Sequence, residues 1–227
     1  MENFKRTEIL IGKENMDVLS NAHILVVGVG GVGGYVVEML ARCGVGELTI
    51  VDFDVVSTSN INRQIIALSS TVGAPKVDVL KKRILEINPL CKVNSIFEKF
   101  TAENSDKILN DKIDFVVDAI DNLENKVLLA VEAEKRNLNI ISAMGAGNRI
   151  GVPNFQICDV FKTYNDGLAR KFRKMLKDNG VKKLKVAFSN ETTIKTSERV
   201  VGSISYFPAM CGATIAGYVI NCLINIC

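Results

Sequence analysis

Two hydrophobic rhythms alternate along the first 150 residues of this 227-residue chain. Short runs rich in apolar and β-branched residues, at 24–27, 48–51, 93–97, 114–118 and 139–142, have the length of buried strands. Between them, apolar residues recur three and four positions apart. Val77, Leu80, Ile84 and Ile87 form such a set, predicting a helix that Pro75 opens and Asn88-Pro89 ends. Helices are also predicted over 35–41, over a short stretch from Thr101 as N-cap to about residue 110, and over 123–136. Strands that alternate with helices pair in parallel through crossovers. The expected fold class is α/β, a Rossmann-like doubly wound and mostly parallel sheet, with a single domain spanning 1–227.

The second half is less regular. Residues 155–160 and 185–188 read as strands around a helix at 168–178, and 190–205 as a polar, mobile loop. No charged residue occurs from Val200 to the last residue. The stretch 209–227 is long enough to cross a membrane, but Gly212, Thr214, Gly217, Asn221 and Asn225 make it a poor span. A helix apolar all round suits a core or a subunit interface, so membrane contact is not expected.

The six cysteines, at 43, 91, 158, 211, 222 and 227, form no C-x-x-C pair. Neither structural zinc nor a redox dithiol is suggested. Residues 1–13 are charged and carry no long apolar core of the kind a secretory leader needs. A reduced, cytoplasmic protein is the economical expectation. The net charge of +3 permits an anionic partner without requiring one.

The run Val26-Val27-Gly28-Val29-Gly30-Gly31-Val32-Gly33 adds chemistry to the first strand. Gly28, Gly30 and Gly33 fit G-x-G-x-x-G between a strand and a helix. Such a turn brings backbone N–H groups and the positive end of a helix to a phosphate. Residues 1–150 are therefore read as the nucleotide-binding half and 151–227 as the substrate-facing and interface half. Asp52, at the end of the second strand, stands where a carboxylate accepts bonds from ribose hydroxyls. That position does not separate NAD from ATP.

The run Ser59-Asn60-Ile61-Asn62-Arg63-Gln64 and Lys76 favour a triphosphate. A dinucleotide held by backbone N–H groups gains little from an added Arg and Lys. A triphosphate under attack develops charge that both stabilise, the Arg as a planar fork and the Lys as a point charge. Asp118 and Asp121 follow the fourth strand, at the sheet edge that faces the ligand crevice. Mg2+ takes one or two carboxylates plus phosphate oxygens, and Asp121 is the favoured ligand; a helix N-cap is its bland alternative. His23, the single histidine, reads as structural. Arg170, Lys171, Arg173, Lys174 and Lys177 crowd one predicted helix, with Lys182, Lys183 and Lys185 just beyond. A solvated face explains most such runs, but with only Asp178 as counterweight an RNA partner becomes credible.

As a set, Gly28-x-Gly30-Gly31-x-Gly33, Val51-Asp52-x-Asp54, Ser59-Asn60-Ile61-Asn62-Arg63-Gln64, Val72-Gly73-x-Pro75-Lys76, Ile87-Asn88-Pro89 and Asp118-x-x-Asp121-Asn122 resemble the ubiquitin-activating-enzyme-like superfamily, whose members adenylate carboxylates. Ser142-x-Met144-Gly145-Ala146-x-Asn148, Thr163-x-x-Asp166-x-Leu168-Ala169, the basic helix and Phe207-Pro208 are similar to its tRNA threonylcarbamoyladenosine dehydratase branch. The resemblance implies ATP and Mg2+ as cofactors and tRNA carrying threonylcarbamoyladenosine as substrate. It implies that the threonyl carboxylate is adenylated and the ring then closed by the carbamoyl oxygen.

Carried onto this chain, Gly28, Gly30, Gly31, Gly33, Asp52, Asp54, Asn60, Arg63, Gln64, Lys76 and Asp121 would bind ATP, with Arg63, Lys76 and Asp121 also catalytic and Asp121 on Mg2+. Arg6, also taken as catalytic, matches an arginine that reaches the neighbouring subunit's ATP in relatives, which implies a homodimer. A protein partner of the sulfur-transfer type is also allowed. The chain departs from the branch at Gly151-Val152-Pro153, where Asp-Pro is usual, at Gly167 in place of Pro, at Arg149 in place of Lys, and in a shorter, less basic 190–205. These departures leave ATP binding intact and bear on the RNA-facing surface. The rival readings are activation of a sulfur-carrier protein's C-terminus, an NAD-dependent oxidoreductase and a silent nucleotide scaffold. Relatives of the first commonly carry two C-x-x-C pairs. The second gives Arg63, Lys76 and Asp121 no task.

Overall fold

The computed structural model describes residues 2–198 and 200–226. The elements run α1 (Lys5–Ile11), α2 (Lys13–Asn21), β1 (His23–Val27), α3 (Gly33–Arg42), β2 (Glu47–Val51), α4 (Lys76–Ile87), β3 (Lys92–Ile96), α5 (Ser105–Ile108), β4 (Phe115–Asp118), α6 (Leu123–Lys135), β5 (Ile140–Ala143), β6 (Phe155–Asp159), α7 (Gly167–Asp178), β7 (Lys185–Ser189) and α8 (Tyr206–Leu223). Seven strands form one sheet in the order β3-β2-β1-β4-β5-β7-β6. All pairs are parallel except β6 with β7. The strand order reverses between β1 and β4, and in such sheets the ligand crevice lies there, outside the carboxyl ends.

Strands β1 and β4 are buried along their whole length, which explains why their sequences run nearly continuously apolar rather than alternating. Helix α4 buries Val77, Leu80 and Ile84, three of the four periodic residues, against that sheet. Helix α8 seats Phe207, Cys211, Ile215, Ala216 and Val219 in the interior. By length and composition it could cross a membrane, yet it packs against α3, β5, β6 and β7. A Cβ on Gly212 would stand 2.6 Å from the Val32 carbonyl oxygen, so a glycine there lets α8 press on the start of α3.

Four features differ from expectation. Helices α1 and α2 occupy a stretch with no predicted element, because α1 buries nothing and α2 buries only Leu19, leaving no apolar stripe to read. Helix α5 starts later than expected, with Asn104 rather than Thr101 at its N-cap position and no side-chain bond capping it; the Asn104 Oδ1 instead accepts the Thr101 N–H at 2.9 Å. Strand β6 is an antiparallel edge strand, an orientation that local periodicity does not carry. Cys222 is disulfide-bonded, unlike the all-thiol expectation, while Cys43, Cys91, Cys158 and Cys211 are free. Burial raises the pKa of all four free thiols, to about 12 for Cys91 and Cys211.

Candidate active site

A cavity of about 650 Å³ opens at the carboxyl ends of the central strands. One end is walled by the glycine turn after β1. Gly28 has φ +85°, and a Cβ there would lie 2.6 Å from the Ala119 carbonyl oxygen. A Cβ on Gly33 would lie 1.8 Å from the Gly28 carbonyl oxygen, so this glycine sets the approach of α3 to the turn and does not itself line the cavity. Gly30 and Gly31 do line it. Asp52 holds the turn in shape. Its Oδ2 accepts the Val29 N–H and its Oδ1 the Asp54 N–H, both at 2.8 Å, while its side chain faces the cavity.

The loop between β2 and α4 brings cations to the same wall. Lys76, the first residue of α4, is buried, and its Nζ donates to Asp54 Oδ2 at 2.7 Å. Asp54 thus neutralises the lysine that the sequence assigns to phosphate. Arg63 lines the cavity and donates through Nη1 to the Ser59 carbonyl and to Asn62 Oδ1, each at 2.8 Å. Gln64 is buried beside Gly30, with its Oε1 buried and unpartnered among the described residues. Asn60, expected to bind ATP, is not on the cavity wall. Its Oδ1 accepts the Ser57 N–H at 3.1 Å, and its carbonyl accepts the N–H groups of Arg63 and Gln64, so it shapes the loop that carries them.

The two acidic residues after β4 separate into different roles. Asp118, expected near the phosphates, is fully buried and ion-paired with Lys126 at 2.9 Å, so it is a support beneath the site. Burial pushes its carboxyl above the usual range, and the Lys126 ammonium opposes that rise. Asp121 is exposed on the cavity wall, where its carboxylate makes no hydrogen bond or ion pair among the described residues. Asn122, not Asp121, caps α6, accepting the Asn125 N–H at 3.1 Å. A free carboxylate facing the cavity suits Mg2+, which keeps its waters and takes few protein ligands.

The far end of the cavity is built from the loop after β5, the start of α7 and part of 190–205. Asp166 caps α7 through Oδ1, while its Oδ2 accepts the Gly145 N–H at 3.1 Å and Arg149 Nη2 at 3.2 Å. The buried Arg149 also donates to the Ser189 and Glu191 carbonyls. Asn148, at φ +54°, pairs with Gly202 through both its backbone N–H and its side-chain oxygen, tying Gly202 to this end of the cavity. The segment expected to be mobile is therefore tied at Ile194 and Gly202, to Asn148, and at Ser203, to Asn62.

Helix α7 leads away from the cavity mouth. Arg170, Lys171, Lys174 and Lys177 are exposed on it, while Phe172 and Leu176 anchor its other face. Arg173 differs from the expected free cation. It is half-buried, and its Nη1 donates to the Thr163 carbonyl at 2.8 Å and to the Thr163 hydroxyl. Arg6 is exposed on α1 and does not line this chain's own cavity.

A doubly wound sheet with a glycine turn, a buried Lys, an Arg and a free carboxylate around one crevice defines a nucleotide-binding protein equipped for phosphoryl chemistry. The profile of the ThiF family matches residues 4–226. The tRNA threonylcarbamoyladenosine dehydratase of Bacillus subtilis is 39% identical, over 99% of this chain and 96% of that protein. The one from Haemophilus influenzae is 39% identical over 90% and 77%. The crystal structure of the Escherichia coli enzyme in complex with ATP superposes with a TM-score of 0.94 at 33% identity, covering 99% of this chain and 94% of that one. The chain belongs to the ThiF family and, within it, to the tRNA threonylcarbamoyladenosine dehydratases.

Sequence reasoning placed the glycine turn, Asp52, Arg63, Lys76 and Asp121 on one crevice. It gave no role to Lys126, and it read Arg149 as bearing on the RNA-facing surface, whereas the structure buries it against Asp166. Lys126 follows Glu124 and Asn125 near a helix start and reads as a solvated position, so local sequence carries no mark of its burial.

Proposed function

We propose that this chain cyclises threonylcarbamoyladenosine in tRNA at the expense of ATP. The supporting observation is the single cavity that joins the glycine turn, Lys76 and Asp121 at one end to the start of the basic helix at the other. The threonyl carboxylate attacks the α-phosphorus of ATP, forming an acyl-adenylate and releasing pyrophosphate. The carbamoyl oxygen then attacks the acyl carbon, closes the ring and expels AMP. Arg63 and Lys76 stabilise charge on the displaced phosphates, Asp52 orients the ribose, and Gly30 and Gly31 admit the phosphates to backbone N–H groups. Asp121 would hold Mg2+, which when bound neutralises the leaving pyrophosphate. No covalent nucleophile is required, because proximity within the activated nucleoside favours ring closure. The deciding measurement is mass spectrometry of tRNA nucleosides after incubation with ATP and Mg2+. The modified nucleoside should lose the mass of one water, with one AMP formed per event. Pyrophosphate exchange that needs a carrier protein and ignores tRNA would overturn the proposal in favour of carrier activation.

The exposed cations of α7 are read as phosphate contacts to the tRNA. Lys171→Glu with Lys174→Glu should weaken tRNA binding and leave ATP affinity unchanged. Each lost contact should take about 0.7–0.9 off the slope of log affinity against log salt. An affinity flat across salt removes this role from the helix.

The reading further takes the chain as one domain, in the cytoplasm, acting without membrane contact, and as a homodimer in which Arg6 serves the neighbouring subunit's ATP. The exposure of Arg6, with Ile9 and Leu10 exposed beside it, supports that last point. Mixing Arg6→Ala with Lys76→Ala protein should restore activity that neither has alone, since one site of each mixed dimer is intact. No restoration after subunit exchange counts against it. The raised thiol pKa values argue against a sulfur-accepting cysteine among the four free ones, since the thiolate is the nucleophile.

A further inference from the structure

Lys126 has no part in the chemistry above, yet it is among the largest fully buried side chains. An ammonium is costly to bury, and apolar residues fill such a space at lower cost. Its surroundings indicate what it does. Nζ donates to Asp118 Oδ2 at 2.9 Å and to the Ile120 carbonyl at 3.0 Å. Asp118 Oδ1 accepts the Ile120 N–H at 3.1 Å. Both backbone polar groups of Ile120 are therefore held by one ion pair. The ring of the buried Phe172, on α7, lies with its centroid 5.7 Å from Nζ. The residue after this clamped backbone is Asp121, whose own carboxylate is free and faces the cavity.

We propose that Lys126, together with Asp118, is a positioning residue that fixes the backbone leading into Asp121 and so presents its carboxylate to Mg2+ on the ATP phosphates. This rests on the reading of Asp121 as the metal ligand. A loop ordered before the metal arrives loses little conformational entropy on binding it. Outer residues that orient a metal ligand typically control metal affinity by about 10–100-fold.

The test uses the double variant Asp118→Asn with Lys126→Met, which removes both charges together and leaves no lone buried ion. Circular dichroism checks folding, and calorimetry measures ATP affinity with and without Mg2+. Electron paramagnetic resonance measures Mn2+ binding to the ATP-loaded protein. The expected result is parent-like affinity for metal-free ATP and Mn2+ binding weakened about 10–100-fold. Unchanged Mn2+ affinity in a folded double variant overturns the inference. If the double variant does not fold, the near-isosteric Asp118→Asn alone decides by the same Mn2+ reading. Asp121→Asn separates the two levels. If it leaves Mn2+ affinity unchanged, the metal assignment itself fails; if it abolishes binding while the clamp variants do not, only the positioning role fails.

Discussion

Lys76→Ala and Arg63→Ala should each lower the rate of AMP formation on saturating ATP by about 10²–10³-fold, the usual loss when a charge-stabilising donor is removed from a reaction centre. Neither should carry a large stability phenotype. Arg63 is half-buried and, among the described residues, its guanidinium bonds only to Ser59 and Asn62 of its own loop, so its truncation leaves the core intact. Lys76 is buried against Asp54. Its removal leaves that carboxylate without a counter-ion, and Asp54 is exposed enough for water to compensate. Pyrophosphate exchange with thermal denaturation on the same samples checks both statements. Wild-type rates in Arg63→Ala would remove the argument for a triphosphate under attack.

The Lys76–Asp54 contact adds a direction to that experiment. Without nucleotide the lysine is held by a carboxylate, so a triphosphate must compete for it. Asp54→Asn should then free the lysine and tighten ATP binding, as calorimetry would read; weaker binding would overturn this and place Asp54 on the nucleotide itself.

Gly33→Ala and Gly30→Ala should fail in opposite ways. At Gly33 the added methyl meets the Gly28 carbonyl oxygen at 1.8 Å, and both are backbone positions that cannot give way separately. Helix α3 must retreat from the turn, and overpacking of this kind costs about 1–3 kcal/mol or more. For a chain of this size that is a melting temperature lower by roughly 2–4 °C per kcal/mol, together with loss of ATP binding. At Gly30 the methyl finds Gln64 Nε2 at 3.6 Å, an ordinary contact, so the free protein should melt as the parent does. The methyl obstructs only an arriving phosphate, and ATP affinity alone should fall. Thermal shift with and without ATP reads both results. A Gly33→Ala protein with parental stability and affinity would refute this account of the turn.

The alternation of strand and helix and the glycine motif were legible in sequence because they are local. A strand buried on both faces must be apolar along its length, as 24–27 is, and a helix on a sheet must repeat its apolar residues, as Val77, Leu80 and Ile84 do. Asp52, Arg63, Lys76 and Asp121 were legible as residues of one cavity wall because each sits at a fixed offset from such an element. Helices α1 and α2 were not legible, since exposed residues such as Ile9 and Leu10 form no buried stripe. Nor was the split between Asp118 and Asp121, three residues apart on one strand end.

Sequence by itself thus determined a parallel sheet with a phosphate-binding turn and the cations and carboxylates available beside it. Tertiary structure alone decided which of those charges face the crevice. Asp118 became a buried partner of Lys126, Arg173 turned to Thr163, Arg149 closed on Asp166, and β6 ran antiparallel at the sheet edge. The reason is that burial of a charge depends on what other segments bring to it, and a buried ion persists only where distant chain supplies its counter-charge and hydrogen bonds.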